Sequence, residues 1–252
     1  MIEEPVSEAW LVADLHLRAD EPARLRRFVG WLEGIGTRGH LFVLGDLFDV
    51  WVGAKNLLVD GLGETFDALE RSAKGGLRIV VLHGNRDFLL DGAFERRTGV
   101  RVAGEACRAR LGDRRALLVH GDTLCTADLA YQRYRRVVRS RPFRALARAL
   151  PLRLALRLAG GIRRRSRSAL EAKSSSTTAI DPEEGIRVAE AAGCDLLICG
   201  HVHAPSVRTA RGRTLLVLPA WGEGGIGIRF RGGRLAFVSE EGKEVPVGAI
   251  GP

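Results

Sequence analysis

Five short motifs rich in metal-ligand residues occur in order along the chain, and each follows an apolar run with strand character. They are Asp14-Leu15-His16, Gly45-Asp46-Leu47-Phe48-Asp49, Gly84-Asn85-Arg86-Asp87, His120-Gly121-Asp122 and Gly200-His201-Val202-His203. Carboxylates, an amide oxygen and imidazoles form a mixed oxygen and nitrogen set, which suits borderline divalent transition ions better than calcium. Side chains so far apart in sequence can share a site only in a fold that gathers their strand ends. The ordered set predicts a two-metal hydrolytic site of the kind used for in-line displacement at phosphorus.

The spacing of apolar residues predicts alternating strands and helices, followed by antiparallel strands. We expect strands at 8–13, 40–44, 77–82, 107–111, 115–119 and 195–199, helices at 21–35, 62–74 and 182–192, and antiparallel strands over 205–238. This order predicts the α/β class, as a layered sandwich with mixed sheets in one domain spanning 1–252. Ligand sites in such sheets gather beyond the carboxyl ends of strands, which is where all five motifs fall.

Residues 126–180, which we call the insertion, interrupt this pattern. Residues 128–160 have helical periodicity broken by Pro142 and Pro151, whereas 163–178 is polar and is predicted to be mobile. Between 128 and 173 there are thirteen arginines and one lysine against two acidic residues, although the whole chain carries only +9. The basic excess therefore lies in the insertion, and it indicates an acidic partner.

Apolar and basic residues of the insertion alternate at helical spacing. Phe143, Ala147 and Leu150 share a face, Leu154 and Leu158 repeat the spacing, and Arg144, Arg148, Arg153 and Arg157 lie beside them. Short basic amphipathic helices of this kind fit a membrane interface, so 142–167 is predicted to contact a membrane surface. The alternative is that the apolar face packs on the domain and the arginines are solvated.

The motif residues divide into two predicted ligand groups. Asp46 is the predicted bridge between two cations; Asp14, His16 and His203 complete one metal site, and Asn85, His120 and His201 complete the other. Asp49 and Asp122 are expected to orient imidazoles or loop amides. Asp87 has the same expected role, or else caps the following helix.

These residues resemble the calcineurin-like metallophosphoesterase superfamily, whose pattern is D-x-H, G-D-x-x-D, G-N-H-D, H and G-H-x-H. Arg86 stands where most members carry a histidine. Together with His83–Leu90 and His120–Thr126, this difference resembles the branch of UDP-2,3-diacylglucosamine diphosphatases of lipid A biosynthesis. The resemblance implies an αββα sandwich in which the insertion is a helical lid.

The same resemblance implies an activity and a set of contacts. Members hydrolyse the pyrophosphate of UDP-2,3-diacylglucosamine to UMP and 2,3-diacylglucosamine 1-phosphate, with two divalent ions, usually Mn²⁺, at the cytoplasmic face of the inner membrane. The implied catalytic residues are Asp46, Asn85, Arg86 and His201, and the implied substrate contacts are Asn85, Arg86, Asp128, Ser166, Lys173 and His201. The chain departs from the pattern at Leu170, where an asparagine is expected, and at Gly222, where close relatives carry a histidine.

Two alternative functions remain open at this point. A phosphodiesterase or phosphatase of the same superfamily could act on a soluble nucleotide, although such a substrate needs no apolar cover. A nucleic-acid-binding protein would use the arginines for phosphate contacts, but the insertion holds few aromatic residues for base stacking, so no nucleic-acid partner is expected. The sequence also predicts four reduced cysteines, no signal peptide and no membrane-spanning segment, which favours a cytoplasmic location.

Overall fold

Two six-stranded mixed sheets form the centre of the protein. The computed structural model describes residues 2–171, 175–222 and 227–246. The first sheet contains β2 (Glu8–Val12), β3 (His40–Val43), β4 (Arg78–Leu82), β5 (Arg101–Gly104), β11 (Gly227–Arg231) and β12 (Arg234–Val238), in the order β12-β11-β2-β3-β4-β5. The second contains β1 (Ile2–Val6), β6 (Ala106–Leu111), β7 (Arg114–Val119), β8 (Leu196–Cys199), β9 (Ser206–Ala210) and β10 (Arg213–Val217), in the order β1-β6-β7-β8-β10-β9.

Helices cover the outer face of each sheet. The first sheet is covered by α1 (Pro22–Gly34), α2 (Gly63–Lys74) and α3 (Gly92–Thr98), and the second by α8 (Pro182–Ala191). Alternate residues along the strands explain this layering, because successive side chains point to opposite faces of a sheet. In β3, Val43 packs with the helices, whereas Phe42 packs between the sheets. The predicted layered α/β fold with mixed sheets is confirmed.

The insertion is helical and breaks at both prolines, as predicted. It contains α4 (Leu129–Val138), α5 (Arg141–Ala149), α6 (Leu152–Glu171) and α7 (Ser175–Thr178). Helical periodicity is predicted only to residue 160, but α6 continues through Glu171, into the segment predicted to be mobile. Arg163 extends the inner face that begins at buried Ala155 and pairs with Asp49 of the domain, a tertiary contact that composition does not reveal. No helix in the described ranges has both the length and the apolar character needed to cross a membrane.

Candidate metal centre

The carboxyl ends of five strands deliver the five motifs to one edge of the sandwich. Strands β2, β3 and β4 pair in parallel, so Asp14, Asp46 and Asn85 follow them at the same edge of the first sheet. Strands β7 and β8 pair in parallel in the second sheet, and they end directly before His120 and close to His201. The site therefore spans the edges of both sheets, which is the position predicted from the motif order.

The loops that hold the site have unusual backbone angles. Asp14, His16, Asp46, His201 and His203 all have positive φ, between 47° and 76°, and within the described ranges only Arg211 shares this property among non-glycine residues. Each such residue costs on the order of 1 kcal/mol or more. The surrounding contacts must therefore impose these angles on five of the seven predicted ligands.

Two motif glycines are required by close approach. A Cβ on Gly84 would lie 1.9 Å from Asp46 Oδ1, and a Cβ on Gly200 would lie 2.5 Å from Asp14 Oδ2. Only a residue without a side chain allows these loops to pass so near the carboxylates. The glycines of the Gly-Asn and Gly-His motifs thus serve packing around the acidic ligands.

The first predicted ligand group lies together. His203 Nε2 is 3.7 Å from Asp14 Oδ1, and His16 Nε2 is 3.9 Å from the same oxygen. On its other side, His16 Nδ1 is 3.7 Å from Asp46 Oδ2. Three ligand atoms, one each from Asp14, His16 and His203, fall within 4.8 Å of one another.

The second group shares Asp46 with the first. His120 Nε2 is 3.8 Å from Asp46 Oδ2, 2.9 Å from Asn85 Oδ1 and 3.2 Å from His201 Nδ1. The same oxygen of Asp46 thus faces an imidazole of each group, which is the position a bridging carboxylate needs. All seven predicted ligands form one continuous cluster.

Unpaired polar atoms show that the cluster suits a cation. Both ring nitrogens of His16 are buried without a hydrogen-bond partner, a costly arrangement unless a ligand completes it. Two atoms that bind one divalent ion at about 2.0–2.2 Å each lie at most about 4.4 Å apart. The distances from Asp14 Oδ1 to His203 Nε2 and to His16 Nε2, 3.7 and 3.9 Å, meet that limit. The residues present therefore fit divalent metal ions.

The pKa values of His16, His201 and Asp46 also suit a metal site. Burial and the positive charge of Arg86 lower the pKa of His16 to about 2, and burial with His120 nearby lowers the pKa of His201 to about 4, so both rings are neutral near pH 7. Burial raises the pKa of the Asp46 carboxyl to about 7. Neutral imidazoles are ready to bind a metal, and a bound cation would supply the positive charge that favours ionised Asp46.

Three further acids, Asp87, Asp49 and Asp122, lie beside the loops that carry the predicted ligands. Asp87 is fully buried and accepts backbone hydrogen bonds from Gly84, Asp46 and Phe48. Its expected role toward loop amides is confirmed, and the cap of α3 is Asp91 instead.

The other two acids differ from the prediction. The described contacts of the Asp49 side chain are with Arg86, Arg163 and Arg18, and no imidazole or loop amide is among them. Asp122 accepts from Tyr131 Oη and Arg135 Nε, both at 2.7 Å. The partners Arg163 and Arg135 could not be foreseen, because they come from helices of the insertion.

The residues expected to contact substrate are only partly gathered. Arg86 lies beside the metal ligands, with Nε 3.3 Å from Asp46 Oδ2 and Nη1 2.6 Å from Asp49 Oδ1. Asp128 is buried and caps α4 by accepting from the Tyr131 amide at 3.0 Å. Ser166 is exposed on α6, one turn beyond Arg163. Lys173 lies outside the described residues.

Sequence reasoning missed the arginines that turn inward from the insertion. Arg139 is only 9% exposed, donates to the Gly84 carbonyl at 2.8 Å and pairs with Glu105 at 2.7 Å. Arg135 joins Glu105 to Asp122. In the sequence, both arginines are part of the basic excess of the insertion. Helical spacing alone gave no signal, because the acids that hold them lie on other elements.

Comparisons with known proteins agree with this geometry. Residues 9–205 match the family described as calcineurin-like phosphoesterase. A protein named UDP-2,3-diacylglucosamine hydrolase from Pseudomonas aeruginosa is 38% identical over 204 residues, which cover 77% of this chain and 81% of the relative. A protein of the same name from Haemophilus influenzae is 32% identical over 219 residues, covering 86% and 91%. Among solved structures, a phosphoesterase from E. coli aligns over 97% of this chain and 100% of its own, with 15% identity and a TM-score of 0.45.

Proposed function

The chain belongs to the calcineurin-like phosphoesterase family, and we propose that it hydrolyses the pyrophosphate of UDP-2,3-diacylglucosamine, releasing UMP and 2,3-diacylglucosamine 1-phosphate for lipid A biosynthesis. The name of its relatives, which are 32–38% identical over most of the chain, supports the substrate. The observation that carries the reaction is the single cluster of seven predicted ligands with Arg86 beside it.

We assign the cluster to two divalent ions, Mn²⁺ by family resemblance. Asp46 would bridge them, with Asp14, His16 and His203 on one side and Asn85, His120 and His201 on the other. When bound, such ions neutralise phosphate charge and lower the pKa of a water molecule. The chain's own contribution is a buried, preorganised set of imidazoles and carboxylates, with His16 and His201 neutral, that needs little rearrangement to receive them.

Arg86 is the proposed anchor for the diphosphate. Its guanidinium is held by Asp46 and Asp49 and is 29% exposed, so the donors that these acids leave free can face a ligand at the rim. A planar guanidinium binds two phosphate oxygens at once and stays charged at any working pH. Asn85 and His201 would contact the same phosphates. Asp128, Ser166 and Lys173 are assigned to the sugar side by resemblance alone.

The outer surface of α5 and α6 is the proposed membrane contact, through residues 142–167 at the cytoplasmic face of the inner membrane. Leu146, Leu154, Leu158 and Ile162 are 60%, 44%, 50% and 38% exposed. Exposed Arg153 and Arg157 lie among them on α6. Apolar side chains beside arginines suit an interface where lipid chains meet phosphates. In this proposal the insertion acts as a lid over an acylated substrate.

Incubation of the purified protein with Mn²⁺ and UDP-2,3-diacylglucosamine in ¹⁸O-labelled water tests the function. We expect UMP and 2,3-diacylglucosamine 1-phosphate as products, with the label identifying the attacked phosphorus. UDP-N-acetylglucosamine, which has the same diphosphate but no long acyl chains, is the matched control and should turn over poorly. Faster hydrolysis of this soluble nucleotide sugar would contradict the proposal and favour the soluble-nucleotide alternative.

A further inference from the structure

Lys55 joins the insertion to the loop that leaves the Asp46 motif. It lies in a short 3-10 helix, Ala54–Leu58, and its Nζ donates to the carbonyls of Ala147 and Arg148 at 2.9 and 3.2 Å. A third hydrogen bond reaches the carbonyl of Leu150. The ammonium group has three donors, so all three are used at one place.

The acceptors are the free carbonyls at the end of α5. The last carbonyls of a helix have no partner within it and carry partial negative charge. Here the chain then turns at Pro151, which has no N–H to offer, and α6 begins one residue later. A positive charge centred on these carbonyls therefore fixes the turn between α5 and α6.

The chemistry of the contact favours lysine in particular. Only four of the 39 basic residues in the chain are lysines. A compact ammonium can point three donors at three converging carbonyls, whereas the donors of a guanidinium lie in one plane. The contact thus depends on the shape of the cation as well as on its charge.

The same loop leads back to the metal centre. Asn56 is buried, accepts from the Val52 amide at 2.6 Å and donates to the Val50 carbonyl at 3.2 Å. Between them, the Trp51 amide donates to the Arg86 carbonyl at 3.2 Å. The residues from Asp49 to Lys55 therefore touch the insertion at one end and Arg86 at the other.

A second contact between the insertion and this loop comes from α6. Arg163 pairs with Asp49, which also accepts from Arg86 Nη1 at 2.6 Å. The C-terminal end of α5 and the middle of α6 thus both contact residues of the segment 49–55. Arg163 thus holds the middle of α6 beside Arg86 and Lys55 holds the end of α5, so loss of Lys55 leaves the contact at Arg86 in place. We call α5 and α6, which are joined by Leu150 and Pro151, the α5–α6 hairpin.

We propose that Lys55 is a positioning residue that fixes the α5–α6 hairpin relative to the metal centre and thereby selects an acylated substrate. This role rests on the proposed function, in which the hairpin covers the acyl chains. Lys55 itself touches neither metal ligands nor phosphate. Its effect should appear in the KM for a substrate that needs the hairpin and not in the hydrolysis of one that does not.

The test uses the full-length protein with Lys55→Met, which keeps the length of the side chain and removes its charge. We expect hydrogen exchange of α5 and early α6 amides to accelerate about tenfold, since the charged hydrogen bonds at the helix end are lost. The KM for UDP-2,3-diacylglucosamine should rise about fivefold or more, while kcat and the Mn²⁺-dependent hydrolysis of bis(p-nitrophenyl) phosphate stay within about twofold.

Two variants complete the experiment. Lys55→Arg keeps the charge but not the three-carbonyl geometry, so it should give an intermediate KM. Lys74→Met removes an exposed lysine of α2 that pairs with Glu70, and should behave as wild type. Unchanged exchange in Lys55→Met, or an equal loss with both substrates, would overturn the proposal. If the wild type did not hydrolyse UDP-2,3-diacylglucosamine, the proposed function would fail, and the exchange rates would still decide whether Lys55 holds the hairpin.

Discussion

Replacing Gly84 by alanine should damage the metal centre through one methyl group. The new Cβ would lie 1.9 Å from Asp46 Oδ1 and 2.2 Å from Asp46 N, whereas Cβ contacts in proteins essentially never fall below 3.0 Å. The carboxylate must therefore move by about 1.1 Å and its backbone by about 0.8 Å. Neither group is free to move, because the Asp46 amide donates to Asp87 Oδ1 and Asp46 Oδ1 accepts from the Arg86 amide at 2.9 Å.

The size of the effect follows from these shifts. Metal–ligand distances tolerate only about 0.2 Å, so a displacement of about 1 Å removes Asp46 as a ligand. We expect a loss of turnover of about a hundredfold or more and a marked fall in bound Mn²⁺. Overpacking should also lower the free energy of unfolding by about 1–3 kcal/mol, or roughly 2–4 °C of Tm for each kcal/mol.

Metal analysis, turnover and thermal unfolding of the purified variant measure these three quantities. Gly30→Ala is the control: Gly30 lies in α1, and a Cβ there would meet nothing within 4 Å. It should leave activity unchanged and stabilise the protein by about 0.5–1 kcal/mol. A Gly84→Ala protein with full metal content and turnover within about twofold of wild type would refute the reasoning.

Three other predictions concern the ligands, the anchor and the membrane surface. Asp46→Asn should abolish turnover and lower metal content. In the wild type, the logarithm of the metal affinity should rise by about one per pH unit up to about pH 7 and then level off. The reason is that the Asp46 carboxyl, whose pKa is raised to about 7, keeps its proton below that pH, and the metal must displace this proton. Titration with Mn²⁺ between pH 5 and 8 checks the slope, and a flat profile would exclude Asp46 as the titrating ligand. Arg86→Ala should keep its metals yet lose turnover by about a hundredfold, measured by metal analysis and kinetics; loss of metal would indicate a structural role. Arg153→Glu with Arg157→Glu should release the protein from anionic vesicles in a sedimentation assay, since each basic group contributes about 1 kcal/mol there; unchanged binding would contradict the membrane contact.

Strands and helices with strong periodicity were predicted to within one or two residues. The helix predicted over 21–35 is α1, Pro22–Gly34, and the strand predicted over 77–82 is β4, Arg78–Leu82. Several short elements had no such signal, among them β1, β5, α3 and α7. β1 contains Pro5 and is stable only because it pairs at the sheet edge with β6, and α3 has seven residues. Periodicity needs length, so these elements depend on their neighbours.

The motif residues were predictable because strand ends are local features. Each ligand follows an apolar run, and parallel pairing brings such ends to one edge. The four cysteines, predicted to be reduced and buried, are free and buried. Which arginines are buried could not be predicted from the sequence. Residue type does not distinguish Arg139 and Arg163 from exposed Arg153 and Arg157. The inward partners of the first two include Glu105, the Gly84 carbonyl and Asp49.

The sequence by itself determined the layers of the sandwich and which motif side chains meet at one edge of it, because both follow from residue type and from alternation along single strands. The tertiary structure decided which cations belong to the interior, how Gly84 fits against Asp46, and where Lys55 meets the end of α5. The contacts of Gly84 with Asp46, Lys55 with Ala147 and Arg163 with Asp49 join residues 38 to 114 positions apart. Local pattern cannot encode such distances, since a charged side chain is buried only where another element supplies its partner.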